Sequence, residues 1–304
     1  MIATRHGLLL LNKKPGITSF DSLAGIKRAF TTGKAGHTGT LDKFASGLLL
    51  VLVGRGLKLA SLFSDFTKEY TGTIRFGAET DTLDAEGEVI ANGPIPSLEE
   101  VEAVLSGFRG TILQAPPAYS ALHINGKRAY DLARKGKMPE MKKRPVTIHD
   151  LEIVSWTAPE AVIRVCVSAG TYIRSLARDI ALAAGSRAYL SALTRTRVGA
   201  FRLEDSVEDS GDGEILAKAL RPLDRKLFDD LSLPCFFLDD RAAEGFIHGR
   251  ALEGLLPVDE FSAAEELSTA PAAGVFKKNA RNELLGVMLH QNGKWSYGHV
   301  FAGN

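Results

Sequence analysis

Apolar positions along the chain divide it into short strands and a few amphipathic helices. Gly7–Lys13 is a continuous apolar run of strand length, ended by the turn signal Lys14-Pro15-Gly16. Thr18-Ser19-Phe20-Asp21 predicts a helix start capped by Ser19, with Leu23, Ile26 and Phe30 as the buried stripe. Residues 31–39 read as a glycine-rich loop. Ser46–Leu62 reads as a strand or buried segment interrupted by Gly54 and Gly56. Tyr70–Phe76 alternates as a half-buried strand does, and Leu98, Val101 and Leu105 predict a helix over 98–107. Two more strands are expected at Thr147–Trp156 and Ala161–Ala169, followed after Gly170 by an amphipathic helix over Ile173–Ala184. The elements do not alternate as in a doubly wound parallel sheet, so the pattern predicts an α+β fold.

An acidic stretch containing Asp205, Glu208, Asp209, Asp212 and Glu214 reads as a helical linker, with a boundary near Asp230–Pro234. Beyond it, Cys235–Leu238, Leu284–His290 and Trp295–Phe301 predict the strands of a small β-rich domain, near the minimum size that folds unaided.

Composition adds exclusions. Hydrophobic content of 45% and charged content of 24% are those of an ordinary soluble globular chain. No apolar run reaches the length of a membrane span, and Leu8–Leu11 is too short for a signal-peptide core, so a cytoplasmic protein is expected. Cys166 and Cys235 lack metal-ligand spacing and read as buried, reduced thiols. The net charge of +1 conceals two opposed segments. Lys127–Arg144 holds eight basic residues against Asp131 and Glu140, whereas Glu79–Glu102 holds eight acids and no Lys or Arg. A polyanion is drawn to the first and repelled by the second, although two solvated faces would show the same pattern.

The chain has no GxGxxG, no P-loop, no HExxH, no paired CxxC and no GxSxG elbow, which argues against common redox, nucleotide-hydrolysing and zinc chemistries. Two segments remain. GHTGTLD (Gly36–Asp42), followed by KFASG, combines glycines, a histidine and threonines with one terminal carboxylate. By spacing alone it is either a structural turn in which Asp42 caps the next element or a loop that presents Asp42 to a polar substrate. In SAGTYIRSLARDI (Ser168–Ile180) a strand end projects Tyr172 and Arg174 at a helix start, where the arginine either pairs with a carboxylate and keeps it ionised or is a surface residue paired with Asp179 or solvated.

Taken in order, five blocks resemble the TruB family of tRNA pseudouridine-55 synthases. They are LLLLNKKPGITSFD, GHTGTLD with its following ASG, KEYTGTIRFGAETDTLDAEG, PPAYSALHINGKRAYDLAR, and GTYIRSLARDI leading to LTRTRVGAF. The chain departs from the family at Lys43, where proline is usual. The resemblance implies a pseudouridine synthase fold with a central mixed, mostly antiparallel sheet flanked by helices and loops. It places the catalytic domain at 1–230, a thumb-like RNA-binding insertion at 120–147 and a PUA-like domain at 231–304. It implies Asp42 as nucleophile or as the base that triggers glycal formation, Arg174 as its ion-pair partner and Tyr70 as the ring against the displaced base. It further implies that His37, Lys58, Asp84, Tyr172 and Leu193 line the substrate site, and that Lys127, Arg128, Arg134, Lys142, Lys143 and Arg144 meet RNA phosphates. The implied partner is the T-arm of tRNA, bound by a monomer with no cofactor, metal, membrane or obligate protein partner. A non-catalytic RNA-binding or tRNA-folding protein on the same fold is the alternative.

Overall fold

The structure is a computed structural model, and it describes residues 6–30, 33–120, 122–124, 126–134, 136, 141–209, 212–252, 255, 269–278 and 283–301. Its strands are β1 (Gly7–Lys13), β2 (Ala35–His37), β3 (Ser46–Val53), β4 (Lys68–Phe76), β5 (Ala78–Thr80), β6 (Val89–Asn92), β7 (Gly110–Gln114), β8 (His123–Ile124) and β9 (Lys127–Arg128). They continue with β10 (Arg144–Thr157), β11 (Glu160–Val167), β12 (Ala188–Val198), β13 (Phe201–Arg202), β14 (Val207–Glu208), β15 (Cys235–Leu238), β16 (Ala272–Lys277), β17 (Leu284–Gln291) and β18 (Lys294–Val300). The helices are α1 (Leu23–Ala29), α2 (Leu98–Leu105), α3 (Ala129–Ala133), α4 (Ile173–Ala183), α5 (Gly213–Ala219), α6 (Arg225–Asp230) and α7 (Asp240–Ile247).

Among the described residues the main sheet runs β14-β1-β3-β12-β4-β11-β10-β7, with β2 on β3 and β13 on β12. It is mixed and mostly antiparallel, as the α+β reading requires; β1 with β14 and β3 with β12 are the parallel pairs. The continuous apolar runs of β1 and β3 follow from burial on both faces. Leu8, Leu10, Leu48, Leu50 and Leu52 join one core, while Leu9, Leu11, Leu49, Val51 and Val53 join another with Leu23, Ile26 and Phe30 of the first helical segment. On the far half of the sheet, α2 and α4 cover β4, β10, β11 and β12 through a third core. Helix α2 starts at a reciprocal capping box between Ser97 and Glu100, a pattern readable in the sequence.

The C-terminal sheet, β15-β16-β17-β18, is β-rich as expected. Its Ala272, Phe276, Val287 and Phe301 belong to the same core as Leu8, Leu50, Phe63 and Phe201, so apolar packing runs without a break past residue 230.

Several expectations change. Ser19 does not cap α1; Ser22 occupies that position without a side-chain cap, and Ser19 is used elsewhere. Among the described residues, the acidic stretch expected as a helical linker is α-helical only from Gly213 onward. Val207 and Glu208 extend the main sheet beside Leu11 and Asn12, and Asp212 caps α5 by accepting from Glu214 N and Ile215 N. The apolar segment 46–62 is a strand only to Val53 and then a 3-10 helix over Gly54–Phe63. Residues 144–147 of the insertion expected at 120–147 belong to β10, while its described middle forms the β8–β9 hairpin and α3. Residues 121, 125, 135 and 137–140 of that insertion lie outside the described residues. Cys166 and Cys235 are free and half-buried rather than buried, and burial pushes the Cys235 thiol up to about 11. Among the described residues no helix is long and apolar enough to cross a membrane.

Candidate active site

The GHTGTLD segment is anchored before it reaches Asp42. Its first part is strand β2, paired with β3, and Thr38 N donates to Leu50 O at 3.0 Å. Gly36 packs closely on Leu57, whose Cδ2 would lie 2.8 Å from a Cβ there and would have to move. The chain then leaves the sheet and its carbonyls need donors. Arg195 on β12, 2% exposed, supplies them: Nε donates to Leu48 O at 2.8 Å, Nη2 to Gly39 O at 3.1 Å and Nη1 to Thr40 O at 3.5 Å. Ser19 Oγ accepts from Leu41 N at 2.9 Å and donates to Leu41 O at 3.0 Å.

Beyond Asp42, Lys13 performs the same service. Its fully buried ammonium donates to Lys14 O at 2.9 Å, Ile17 O at 2.8 Å and Lys43 O at 3.4 Å. Gly16 N also donates to Lys43 O, at 2.8 Å. Backbone on both sides of the carboxylate is therefore fixed by buried cations and hydrogen bonds.

Burial lowers the Lys13 pKa to about 8. The folded value lies below the unfolded one, so between pH 8 and about 10.5 the unfolded chain binds more protons. Stability then rises with pH across that window as the cost of burying the charge is relieved. The urea midpoint of the wild type should accordingly climb relative to that of Lys13→Met between pH 8 and 10. A constant difference would show that Lys13 does not titrate there.

Arg174 reaches Asp42 from the first turn of α4. Gln114, 1% exposed, clamps the turn before it: Tyr172 N donates to Oε1 at 2.9 Å and Nε2 donates to Tyr172 O at 3.1 Å. The guanidinium, 4% exposed, sits between two carboxylates. Nη2 donates to Asp42 Oδ1 at 3.0 Å and Nη1 to Asp84 Oδ2 at 3.1 Å. Nε lies 2.9 Å from Asp42 Oδ2, in charge contact though its N–H is not aimed along that line. Remaining donor capacity goes to Thr82 O at 2.8 Å and Tyr119 O at 3.0 Å.

The two carboxylates differ in environment. Burial pushes the Asp84 pKa up, against hydrogen bonding from Thr82 and the charge of Arg174. Asp42 has a side chain 36% exposed and opens toward solvent. The arrangement thus holds one carboxylate rigidly while leaving it accessible.

An apolar wall stands in the same core cluster as the residues flanking Asp42: Leu41, Ala45, Tyr70 and Leu193. Tyr70, 8% exposed, lies on β4 opposite Arg195 of β12. His37 Nδ1 is buried without a hydrogen-bond partner, and burial followed by the nearby Arg195 charge lowers its pKa. A neutral imidazole at neutral pH follows.

Other expected residues fall elsewhere. Tyr172 lies beneath the Arg144 guanidinium at 5.2 Å, and Arg144 also donates to Gly170 O. Lys142 and Lys143 are exposed just ahead of β10, Lys127 and Arg128 form β9, and Arg134 lies 5.7 Å from the Tyr130 ring. Lys58 is not part of the Asp42 group. The 3-10 turn that begins at Gly54 carries it to the C-terminal sheet, where Nζ donates to Val300 O at 3.1 Å and lies 5.4 Å from the Phe301 ring. A cleft of about 400 Å³ near His6, Arg55, Asp224 and Phe301 shares no lining residue with the Asp42 group. Among the described residues no group of three or more His, Cys, Asp or Glu is arranged to hold a metal ion.

The sequence alone assigns no role to Lys13, Gln114, Tyr119 or Arg195, and gives Ser19 only that of a helix cap. A charged residue closing or interrupting an apolar strand, as Lys13 and Arg195 do, was the available signal.

The chain is similar to proteins already known. The model of the TruB family pseudouridylate synthase N-terminal domain matches residues 27–173. The tRNA pseudouridine synthase B of Borreliella afzelii is 50% identical over 204 residues, 66% of this chain and 72% of that protein. The enzyme of the same name from Novosphingobium aromaticivorans is 40% identical over 283 residues, 88% of this chain and 92% of that protein. A chain in a crystal structure of a Cbf5–Nop10–Gar1 complex shares the fold, with a TM-score of 0.66 at 24% identity, over 98% of this chain and 84% of that one. The 40% identity over 88% of the chain, with a family match whose span includes Asp42 and Tyr70, establishes that the chain belongs to the TruB family of pseudouridylate synthases.

Proposed function

We propose that the protein converts uridine to pseudouridine at position 55 in the T-loop of tRNA, with Asp42 as the catalytic carboxylate. The observation that carries this reading is a carboxylate held by the buried Arg174 yet left 36% exposed, on a loop whose Leu41 and Ala45 share a core cluster with Tyr70 and Leu193. A binding surface has no use for a carboxylate fixed in this way, whereas attack on a ribose or proton removal from it requires one.

The reaction is an isomerisation. The N1–C1′ bond breaks, the base turns against the apolar wall, and a C5–C1′ bond forms as the C5 proton leaves and N1 gains one. No external oxidant or reductant enters the balance. Asp42 acts as nucleophile at the sugar or as the base that removes a ribose proton. The target base is extruded from the folded loop at a cost of a few kcal/mol, and Tyr70 and Leu193 supply the surface that receives it. Neutral His37 fills space near the extruded base, and Asp84 keeps Arg174 in place. Lys127, Arg128, Arg134, Lys142, Lys143 and Arg144 hold the stem-loop phosphates. The C-terminal sheet, read as a PUA-like domain, extends the RNA contact. The enzyme works as a cytoplasmic monomer on this reading.

Incubation with an unmodified tRNA transcript, followed by chemical mapping of pseudouridine, should give one new site at position 55. An isolated T-arm hairpin should be modified as well. Modification at another position, or at none, would overturn the reading.

A further inference from the structure

Lys43 follows Asp42 directly, where the resemblance leads one to expect proline. Its backbone does not need a proline ring to stiffen it. Gly16 N and Lys13 Nζ both donate to Lys43 O, at 2.8 and 3.4 Å. The side chain is therefore free to serve another purpose, and it is exposed, at 54%. Its ammonium lies 2.9 Å from Oε1 of Glu86, whose own side chain is 41% exposed. Glu86 sits on the loop that carries Asp84 and donates its N–H to Asp84 Oδ1 at 3.1 Å. The pair thus spans the two loops that hold the Arg174 carboxylates.

Charge around this point is unfavourable to RNA. Asp81, Asp84, Glu86 and Glu88 crowd one short segment. The cations that brace the Asp42 loop are committed: Lys13 at 0%, Arg195 at 2% and Arg174 at 4% exposure all donate to groups within the protein. A nucleotide whose sugar faces Asp42 brings its own phosphates within one sugar's width of that residue. A phosphate there requires an accessible cation, and an exposed ion pair contributes little and exchanges readily.

We propose that Lys43 is a phosphate ligand for the RNA strand at the target nucleotide, with Glu86 as the partner it leaves when RNA arrives. This rests on the RNA-modifying reading above. In the bound state the ammonium meets a phosphodiester and one counterion is released, while Glu86 returns to solvent.

The test measures tRNA affinity across salt concentrations for wild type, Lys43→Gln, Lys43→Arg and Glu86→Gln. Lys43→Gln should weaken binding severalfold at low salt and reduce the slope of log K against log salt by about 0.7, the value for one phosphate contact on a single strand. Lys43→Arg should restore the slope. Glu86→Gln should tighten binding, since it frees the lysine without removing it. Opposite signs for Lys43→Gln and Glu86→Gln support the assignment. Equal losses in both, with an unchanged slope, would overturn it and make the pair a structural strap. Pseudouridine formation by the wild type is measured alongside; its absence would count against the proposed function, and the salt slopes would still decide the role of Lys43.

Discussion

Arg174→Ala should destabilise the protein by about 3–5 kcal/mol, the range for removing one partner of a buried ion pair. The guanidinium is 4% exposed and bridges Asp42 and Asp84. Its loss leaves Asp84, 7% exposed, without a countercharge and strips donors from Thr82 O and Tyr119 O. Burial already pushes the Asp84 pKa up, and without Arg174 it should rise further. Asp84 then becomes protonated in the folded state at a pH where the unfolded chain is ionised, so the variant should lose further stability as pH rises above about 4. Denaturant melts of wild type and variant at pH 5 and pH 8 test both parts. A loss under 1 kcal/mol at both would show that the bridge is not structural. Arg174→Lys should rescue little, because an ammonium cannot reproduce the two-sided planar fork.

Asp42→Asn should abolish turnover, by about 10⁴-fold or more, the scale on which removing one member of a catalytic unit acts. Its effect on folding should be small. The Asp42 side chain is 36% exposed, and Arg174 retains Asp84, so no buried charge is orphaned. The backbone on either side is held by Arg195, Ser19, Lys13 and Gly16 independently of the carboxylate. The contrast between the two substitutions is the informative part: Arg174→Ala costs stability and activity together, Asp42→Asn activity alone. Variant tRNA binding should remain within severalfold of wild type, since affinity comes mainly from phosphates.

How much of this was legible in the sequence differs by residue. The strands β1 and β3 announced themselves because burial on both faces removes polar positions. Asp42 and Arg174, 132 positions apart, could be joined before the structure only through the resemblance, since neither periodicity nor spacing encodes such a contact. Arg195 and Lys13 stand out in the sequence only as charges within strands; what they serve is not legible, because carbonyl oxygens are carried by every residue. Ser19 looked like a helix cap because it precedes an amphipathic stripe, yet its hydroxyl turns to Leu41 instead. The two-residue strand β14 was read as linker because its partner, β1, lies nearly 200 positions away and two residues show no alternation. Lys58 enters the site only through the resemblance, whereas the structure takes its ammonium to Val300 O.

Tritium release from unmodified tRNA labelled at C5 of uridine tests the central claim most directly, because the C5 proton leaves only when the base is reattached through that carbon. Wild type should release about one equivalent per tRNA in proportion to pseudouridine formed, the scale of a single reacting position, and Asp42→Asn none above background while still binding tRNA. Equal release from both proteins would contradict the account.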